Sequence, residues 1–537
     1  MIIILITFLF SLLIAMTSIP LFAIMAKSIG LVDKPDNTRK LHQNSIPMVG
    51  GLALFVAVPV TSCLVICWAA LFPESYSGLT ASLTTWIPEL SYSSKVLASA
   101  TDIHELLGLL ISATVLLLVG VLDDRFGIRG RQKLVGQILA VTVLILYGYK
   151  FEHVYIAGQK IEFGVFSGLV IYAWILGAIN SVNLLDGADG IAATIGIVMS
   201  LSSCVMALLV GSLVDAIVAS AIAGALLGFL KFNFPPAKVY LGDAGSMLIG
   251  LLLSALAIRC TLKQNSAYAF FAPVALLAIP FIDTAAAIIR RRLTGRSIFA
   301  VDRGHLHHTL MKRGYSPRVS LLWVALLCST TAAGAVLSLA YRQSEYAVVS
   351  IIIVLFVMIG FKIFGLAEYQ LVTRRANSLA RSLFHIAARN LPDVLQSSVH
   401  VQGSRDWQFD WKQLCDFADE HQLNQLTLDV NAPWIHESFH ATRRRADIER
   451  GECKEWYSLI PLVAQGRSCG RVEIHGSHQE DFNHHDVIRN LLKITSDLEH
   501  SLVESAGKIP TLTDPAVSNI DIQLMKPDKI ETAVTPR

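Results

Sequence analysis

"LVGVLDDRFG", residues 118–127, runs from an uninterrupted apolar segment straight into two adjacent aspartates. The apolar run behind it, residues 105–122, has the length and composition of a membrane helix. An ionised Asp costs roughly 2.5–3.5 kcal/mol at a helix centre in a bilayer, and less near the interface. A membrane helix that ends on Asp123 and Asp124 therefore places charge at a lipid boundary, where it needs a reason.

The whole chain extends this pattern. Of its 537 residues 53% are hydrophobic and 16% charged, too little charge for a soluble globular protein of that length. Apolar segments recur near 3–25, 50–72, 105–122, 134–150, 166–182, 190–210, 215–231, 246–260, 268–289, 319–340 and 346–366. This predicts an all-α polytopic membrane protein of about 11 transmembrane helices. The first segment, MIIILITFLF onward, has no positive region before it and reads as a retained helix rather than a cleaved signal. Alternate loops are unequal in Lys and Arg, eighteen on one side against six on the other. By the positive-inside rule the richer side is cytoplasmic, which puts the N-terminus outside and the C-terminus in the cytoplasm.

Composition changes near residue 370. Residues 371–505 are polar and rich in His and Arg, with "WKQLCDFADEHQLNQ" as an amphipathic helix and "LTLDV" as a strand. "WYSLIPLVAQGRSCGRVEIHG" reads as strands, the second element a hairpin around Gln465–Gly470. The expectation is a small α+β cytoplasmic C-terminal domain behind a transmembrane domain of residues 1–370. Residues 506–537, with four prolines and little apolar patterning, read as a disordered tail. The eight cysteines are scattered without a CxxC pair, and point to neither a disulfide framework nor a zinc site. "HESFH", 436–440, matches the HExxH zinc-protease pattern, but the "ATRRRADIER" that follows is a solvated face, and coincidence is the simpler reading.

Polar residues gather in the loops assigned to the cytoplasmic face: "LVDKPDNTRKLHQNSIPMVGG", "LDDRFGIRGRQKLVGQ", "NSVNLLDGADG", "KFNFPPAKVYLGDAGS" and "RRRLTGRSIFAVDRGHLHH". The other loops hold nothing comparable. Asp123, Asp124, Asp186, Asp189 and Asp243 all stand at ends of apolar segments. Two carboxylates about 5 Å apart repel by roughly 3 kcal/mol at an effective dielectric of 20, so a shared cleft calls for a balancing cation. Mg²⁺ fits, since it accepts one or two carboxylates together with waters and phosphate oxygens. Lys133, Arg303, His305, His307 and His308 supply an anion site, and Gly187, Gly190, Gly242 and Gly245 allow close backbone approach. Together these describe phosphoryl transfer at a membrane surface. Taken singly each has a plainer reading: a lone Asp is a helix cap, "DGADG" a turn, Arg290–Arg292 a positive-inside anchor. Asp283, within the ninth apolar segment, fits a structural partner and a functional group equally well.

At these motifs, over about residues 25–316, the sequence resembles the polyprenyl-phosphate N-acetylhexosamine-1-phosphate transferases, glycosyltransferase family 4. The ordered set "DKPDNTRKLHQNSIPMVGG", "LDDRFG", "NSVNLLDGADGIA", "GDAGS" and "DRGHLHH" carries the resemblance. It implies transfer of a sugar-1-phosphate from a UDP-sugar to a polyprenyl phosphate in the bilayer, giving UMP, with Mg²⁺ required and Mn²⁺ able to substitute. By motif, Asp123 and Asp124 belong at the lipid-phosphate end, with Asp123 the base or the group that keeps that phosphate deprotonated. Asp243 is the implied metal ligand, with Asp124 beside it; Asn183, Asp186 and Asp189 line the nucleotide side; Tyr240 is placed to stack on uracil. Lys133 joins the substrate-binding set, and Arg303, His305, His307 and His308 hold diphosphate and sugar. "HLHH" and "SIPMVGG" resemble the undecaprenyl-phosphate N-acetylglucosamine-1-phosphate transferase branch more than the phospho-N-acetylmuramoyl-pentapeptide branch, so UDP-GlcNAc is the expected donor. Another UDP-N-acetyl sugar or UDP-MurNAc-pentapeptide is the alternative. The implied setting is the bacterial inner membrane, the active site facing the cytoplasm, at the first membrane step of a surface polysaccharide such as lipopolysaccharide. A homodimer and a partner or regulator of the C-terminal domain stay open, and a nucleic-acid role has no support. An ion-coupled transporter is the non-enzymatic alternative; it would place its charges at mid-membrane in repeated halves, and the acidic motifs here lie at one boundary without an internal repeat.

Overall fold

The computed structural model describes residues 2–33, 45–72, 100–151, 153–156, 159–262, 267–293, 304–361, 394–402, 405–432, 437–445, 455–464, 466–477 and 484–507. The chain forms two compact units, Met1–Arg389 and Asn390–Arg537.

The first unit is helical. In chain order its long helices are α1 (Ile2–Ile29), α2 (Gly50–Leu71), α3 (Ala100–Phe126), α4 (Gly130–Leu146), α5 (Ser167–Leu185), α6 (Ile191–Leu209), α7 (Leu213–Asn233) and α8 (Gly242–Leu262). Then come α9 (Ala267–Leu276), α10 (Ala278–Leu293), the short α11 (Leu306–Lys312), α12 (Pro317–Tyr341) and α13 (Glu345–Gly360). Among the described residues eight helices are long and apolar enough to cross a membrane, and α9 with α10 forms one further pair, bent by 69°. The eleven segments expected from hydropathy each meet a helix, but α4 and α13, at 17 and 16 residues, are shorter than the eight. The bend has a cause in the sequence: Pro280, just after the break at Leu277, has no N–H to continue the ladder.

Helices α7 and α8 are the inner pair, enclosed by neighbours along almost their whole length. Helix α1 lies along α7, with Ser11 Oγ donating to Ala221 O at 2.7 Å. Without a hydrophobic drive between helices in lipid, close backbone approach and hydrogen bonds such as this hold the bundle. Gly120 of α3 is such an approach: a Cβ there would meet the backbone nitrogen of Ala244 in α8 at 2.6 Å. Two small ribbons flank the bundle, β1 (Val32–Asp33) with β2 (Ile46–Pro47) and β3 (His153–Ile156) with β4 (Gln159–Glu162).

The loops opposite the carboxylates are not chemically plain. Arg259, in the last turn of α8, is fully buried and donates to Asp215, to Glu105, and to Asp102 at 3.0 Å. Asp102 and Glu105 begin the helix that ends on Asp123 and Asp124, while Arg259 ends the helix that begins at Asp243. The cluster thus ties α3, α7 and α8 at their far ends. Hydropathy assigns Arg259 to a loop; it is buried because three carboxylates from two other helices satisfy its guanidinium.

The second unit is a five-stranded antiparallel sheet with two helices. Its strands are β5 (Val394–Gln402), β6 (Gln425–Ala432), β7 (Glu437–Arg445), β8 (Glu455–Ala464) and β9 (Arg467–Ser477), in spatial order β5-β7-β6-β9-β8. Helices α14 (Gln408–Glu420) and α15 (His484–Gly507) contribute Trp411, Leu414, Phe417, Leu491 and Leu498 to a core with Leu426, Leu428 and Val430. The amphipathic helix and the β8–β9 hairpin occur where the sequence reading places them. The HExxH match falls on strand β7, where Glu437 is buried and accepts from Arg405 N at 3.0 Å and Trp407 Nε1 at 3.1 Å. That carboxylate therefore holds the entry to α14, and His436 lies outside the described residues. Of residues 506–537, read as disordered from sequence, Ala506 and Gly507 belong to α15, and 508–537 also lie outside the described residues. The described cysteines are free thiols.

Candidate active site

Three helix ends meet around Lys133. Its Nζ lies 3.0 Å from Asp123 Oδ2 at the end of α3, 3.0 Å from Asp243 Oδ2 at the start of α8, and 3.1 Å from Asn183 Oδ1 near the end of α5. Asn183 turns its amide to the other side, donating to Asp243 Oδ1 and, at 2.8 Å, to Ser246 Oγ. Lys133 thus sits between two carboxylates and an amide oxygen. Its ammonium lies between Asp123 and Asp243 and offsets the repulsion between their carboxyl groups.

Asp124 is oriented differently from its neighbour. Its Oδ1 accepts from Asp243 N at 2.7 Å and its Oδ2 from Ala244 N at 3.2 Å, so it caps the first turn of α8 from another helix. The helix N-terminus stabilises that charge. The geometry needs Gly242, whose φ is +75° and whose absent Cβ would lie 2.5 Å from Asp124 Oδ2. Asp123 also accepts from Ile128 N at 3.0 Å, closing the turn after α3.

The "DGADG" loop between α5 and α6 supplies two more carboxylates with distinct surroundings. Asp189 Oδ2 accepts from Ala237 N at 2.9 Å and secures the Pro235–Pro236 loop, which Asn233 also ties by accepting from Gly190 N and donating to Val239 O, both at 2.9 Å. The N–H of Asp186 donates to Val182 O at 3.2 Å, and its carboxyl group takes no hydrogen bond among the described residues. Burial first, then the charges of Asp243, Asp124 and Asp189, push its carboxyl up to about 8. Tyr240 is fixed through its backbone, its N–H bonded to Pro47 O at 2.8 Å and its carbonyl to Gly50 N at 3.1 Å.

The histidines form the second half of the site. Asp283, fully buried, accepts His305 Nδ1–H at 2.6 Å and Leu306 N–H at 2.8 Å, which caps α11 and fixes the His305 ring with Nε2 as its free edge. His305 and His307 stack, ring centroids 6.2 Å apart, and His308 lies 4.2 Å from His307. His307 is 1% exposed, yet neither of its ring nitrogens has a hydrogen-bond partner among the described residues. Burial, followed by the His308 and His305 rings, holds it well below the ordinary imidazole range, so it is neutral. A Cβ on Gly187 would lie 2.9 Å from His307 Nε2, which brings the Asp186 loop onto the histidines. Arg303 lies outside the described residues. Arg290 and Arg291, read from sequence as an anchor, are buried instead, with the Arg290 guanidinium against Gly304.

Among the described residues Lys133 is the cation paired with Asp123 and Asp243, and Asp124 lies beside them against the start of α8, three carboxyls to one ammonium. That surplus fits a divalent cation. Among the described residues no three His, Cys, Asp or Glu side chains converge to hold an ion.

Against known proteins, residues 106–261 match the family described as glycosyl transferase family 4. A relative in Bacillus subtilis, named probable undecaprenyl-phosphate N-acetylglucosaminyl 1-phosphate transferase, is 31% identical over 329 residues, covering 61% of this chain and 82% of its own. The chain belongs to glycosyl transferase family 4. The transferase is also similar to a decaprenyl-phosphate N-acetylglucosaminephosphotransferase of Mycobacterium tuberculosis, 31% identical over 350 residues, 60% of this chain and 80% of the relative. The undecaprenyl-phosphate alpha-N-acetylglucosaminyl 1-phosphate transferase of Escherichia coli K12 is 28% identical over 372 residues, 68% and 89% of the two chains. The transferase is accordingly an enzyme of the phosphotransferase class, set in a membrane bundle. Lys133, Asn183 and the aspartates lie within the matched segment; the histidines lie beyond it and join it through Gly187.

Proposed function

We propose that the transferase moves N-acetylglucosamine-1-phosphate from UDP-GlcNAc to undecaprenyl phosphate, giving undecaprenyl-diphospho-GlcNAc and UMP. Its setting would be the cytoplasmic side of a bacterial inner membrane, at the first membrane step of a surface polysaccharide. The carrying observation is the Asp123–Lys133–Asp243 bridge at the ends of apolar helices long enough to cross a membrane. The names of the relatives supply the substrate class.

In this reading an oxygen of the lipid phosphate attacks the sugar-bearing phosphorus of the UDP-sugar. One P–O bond forms to the lipid, the P–O bond to the UMP phosphate breaks, and UMP leaves with the electron pair. Asp123 keeps the lipid phosphate deprotonated and aligned, and Lys133 holds Asp123 and Asp243 in place and ionised. Asp124 fixes the first turn of α8, and with it the direction of Asp243. Asp186 and Asp189 frame the nucleotide loop, and Tyr240 offers its ring to the base. His305, oriented by Asp283, and His307, with both nitrogens unengaged, donate to diphosphate oxygens beside Arg303. Mg²⁺ (or Mn²⁺) held by Asp243 and Asp124 would neutralise charge on the diphosphate. Residues 371–505 are proposed as an accessory domain.

UMP release from a panel of UDP-sugars tests the reading, using purified protein, undecaprenyl phosphate and Mg²⁺, with Asp243→Asn alongside. Release with UDP-GlcNAc that is lost on chelation and in the variant supports it. Release only with another UDP-N-acetyl sugar keeps the chemistry and moves the donor. No release with any sugar from folded wild-type protein overturns it.

A further inference from the structure

One helical turn deeper than Lys133 lies a second polar contact that the reaction does not touch. Gln137, 1% exposed, donates through Nε2 to Asn180 Oδ1 at 3.2 Å, and Asn180 Nδ2 returns a bond to Gln137 Oε1 at 2.8 Å. The ring of two amides is closed on both sides: Asn180 Nδ2 also donates to Leu176 O at 2.8 Å, and Gln137 Nε2 reaches Met247 Sδ at 3.4 Å. The three helices involved are three of the four that build the Lys133 site. Gln137 is four residues after Lys133 on α4, Asn180 three before Asn183 on α5, Met247 four after Asp243 on α8. Each residue of the deeper layer therefore stands on the same face as its partner above, one turn away.

A long Lys side chain has many rotamers, and nothing on α4 itself directs Nζ to the point between two carboxylates 3.0 Å away on each side. Helix α4, at 17 residues, is also the shortest of the four around Lys133, and many of its other side chains point outward, Leu134, Val135, Ile138 and Leu139 being exposed. Its rotation and height against α5 need a directional contact, and apolar packing in lipid is not directional. The amide ring supplies one.

We propose that Gln137 and Asn180 are positioning residues for the sugar-1-phosphate transfer: their reciprocal amide pair sets the register of α4 against α5 and so holds Lys133 between Asp123 and Asp243. The inference rests on the proposed function for its catalytic readout and on geometry alone for its chemical one.

The test compares wild type, the double variant Gln137→Leu with Asn180→Leu, and the exchanged pair Gln137→Asn with Asn180→Gln. Replacing both amides by apolar groups leaves no buried polar orphan between those two side chains, so the double Leu variant should melt close to wild type. Its kcat for UMP release from UDP-GlcNAc should fall about tenfold or more, with KM within about twofold, since alignment rather than substrate contact is lost. The exchanged pair should recover most of that loss. Independently of any substrate, acylation of Lys133 by acetic anhydride, followed by mass spectrometry, should be faster in the double Leu variant, because Nζ leaves its enclosed place between Asp123 and Asp243 and meets the reagent. Wild-type kcat and wild-type Lys133 reactivity in a folded double Leu variant would overturn the proposal, as would a kcat loss matched by loss of folded protein. Absence of UMP release in wild type overturns the proposed reaction alone, and the Lys133 reactivity then decides the inference.

Discussion

Replacing Lys133 by Met keeps the length of the side chain and removes its charge from between Asp123 and Asp243. Lys133 and Asp123 are 14% and 11% exposed as side chains, whereas Asp243 is 37% exposed and better screened, so the Asp123 contact sets the magnitude. At 3.0 Å and an effective dielectric of 20, the lost attraction is about 5.5 kcal/mol. The protein cannot lose all of that, because one carboxylate can take a proton instead. For a carboxyl of ordinary pKa near 4, this costs about 4 kcal/mol at pH 7 and about 1.4 kcal/mol at pH 5. The loss of stability in Lys133→Met is therefore capped at about 4 kcal/mol at pH 7 and shrinks by about 1.4 kcal/mol for each pH unit toward 5. The sign is fixed: the folded variant binds a proton that the unfolded chain has released, so its stability falls with rising pH relative to wild type. Thermal unfolding in detergent, in metal-free buffer at several pH values between 5 and 8, reads this directly. A wild-type-minus-variant difference that is flat across that range, or larger at pH 5, would refute the bridging role of Lys133.

Three other perturbations are as specific. Asp283→Asn presents an amide N–H to His305 Nδ1 and reverses the ring's tautomer, so UMP release should fall about 10–100-fold with little change in melting; unchanged kcat would show that His305 needs no orientation. Gly120→Ala drives a methyl into the start of α8, and should cost about 1–3 kcal/mol by thermal unfolding and loosen the Asp124 cap; a wild-type melt would show that the two helices separate freely. Asp186 is raised to about 8 in the fold, so in metal-free buffer it destabilises progressively as pH rises from about 4, fully above about 8, and Asp186→Asn should remove that slope; an equal slope in the variant assigns it elsewhere.

Much of the membrane unit is legible along the chain because a membrane helix is a local property. Twenty apolar residues are counted without knowing their neighbours, and an Asp at the end of such a run is conspicuous because lipid cannot solvate it. The same reasoning treats every carboxylate alike, and there it stops. Asp123 and Asp124 are adjacent in sequence, yet one bridges to Lys133 and the other caps α8 from 119 residues away. The plain reading of an Asp as a cap thus applies to Asp124 across helices, and the plain reading of Asp189 as a turn residue applies through Ala237. Asp283 was balanced between two readings because its partner, His305, is 22 residues away, past residues 294–303.

What the sequence determined by itself is the class of molecule: apolar spans, acidic motifs at their ends, a family signature and a mixed C-terminal unit, all encoded in runs and spacings. What tertiary structure decided is the job of each polar residue. Gln137 and Asn180 look like ordinary interruptions of apolar helices until α4 and α5 are side by side. Arg259 looks like a loop charge until α3, α7 and α8 enclose it. The reason is physical: a polar group buried among apolar helices has no water to fall back on, so its role is set by the partners within hydrogen-bond reach, and these come from other helices.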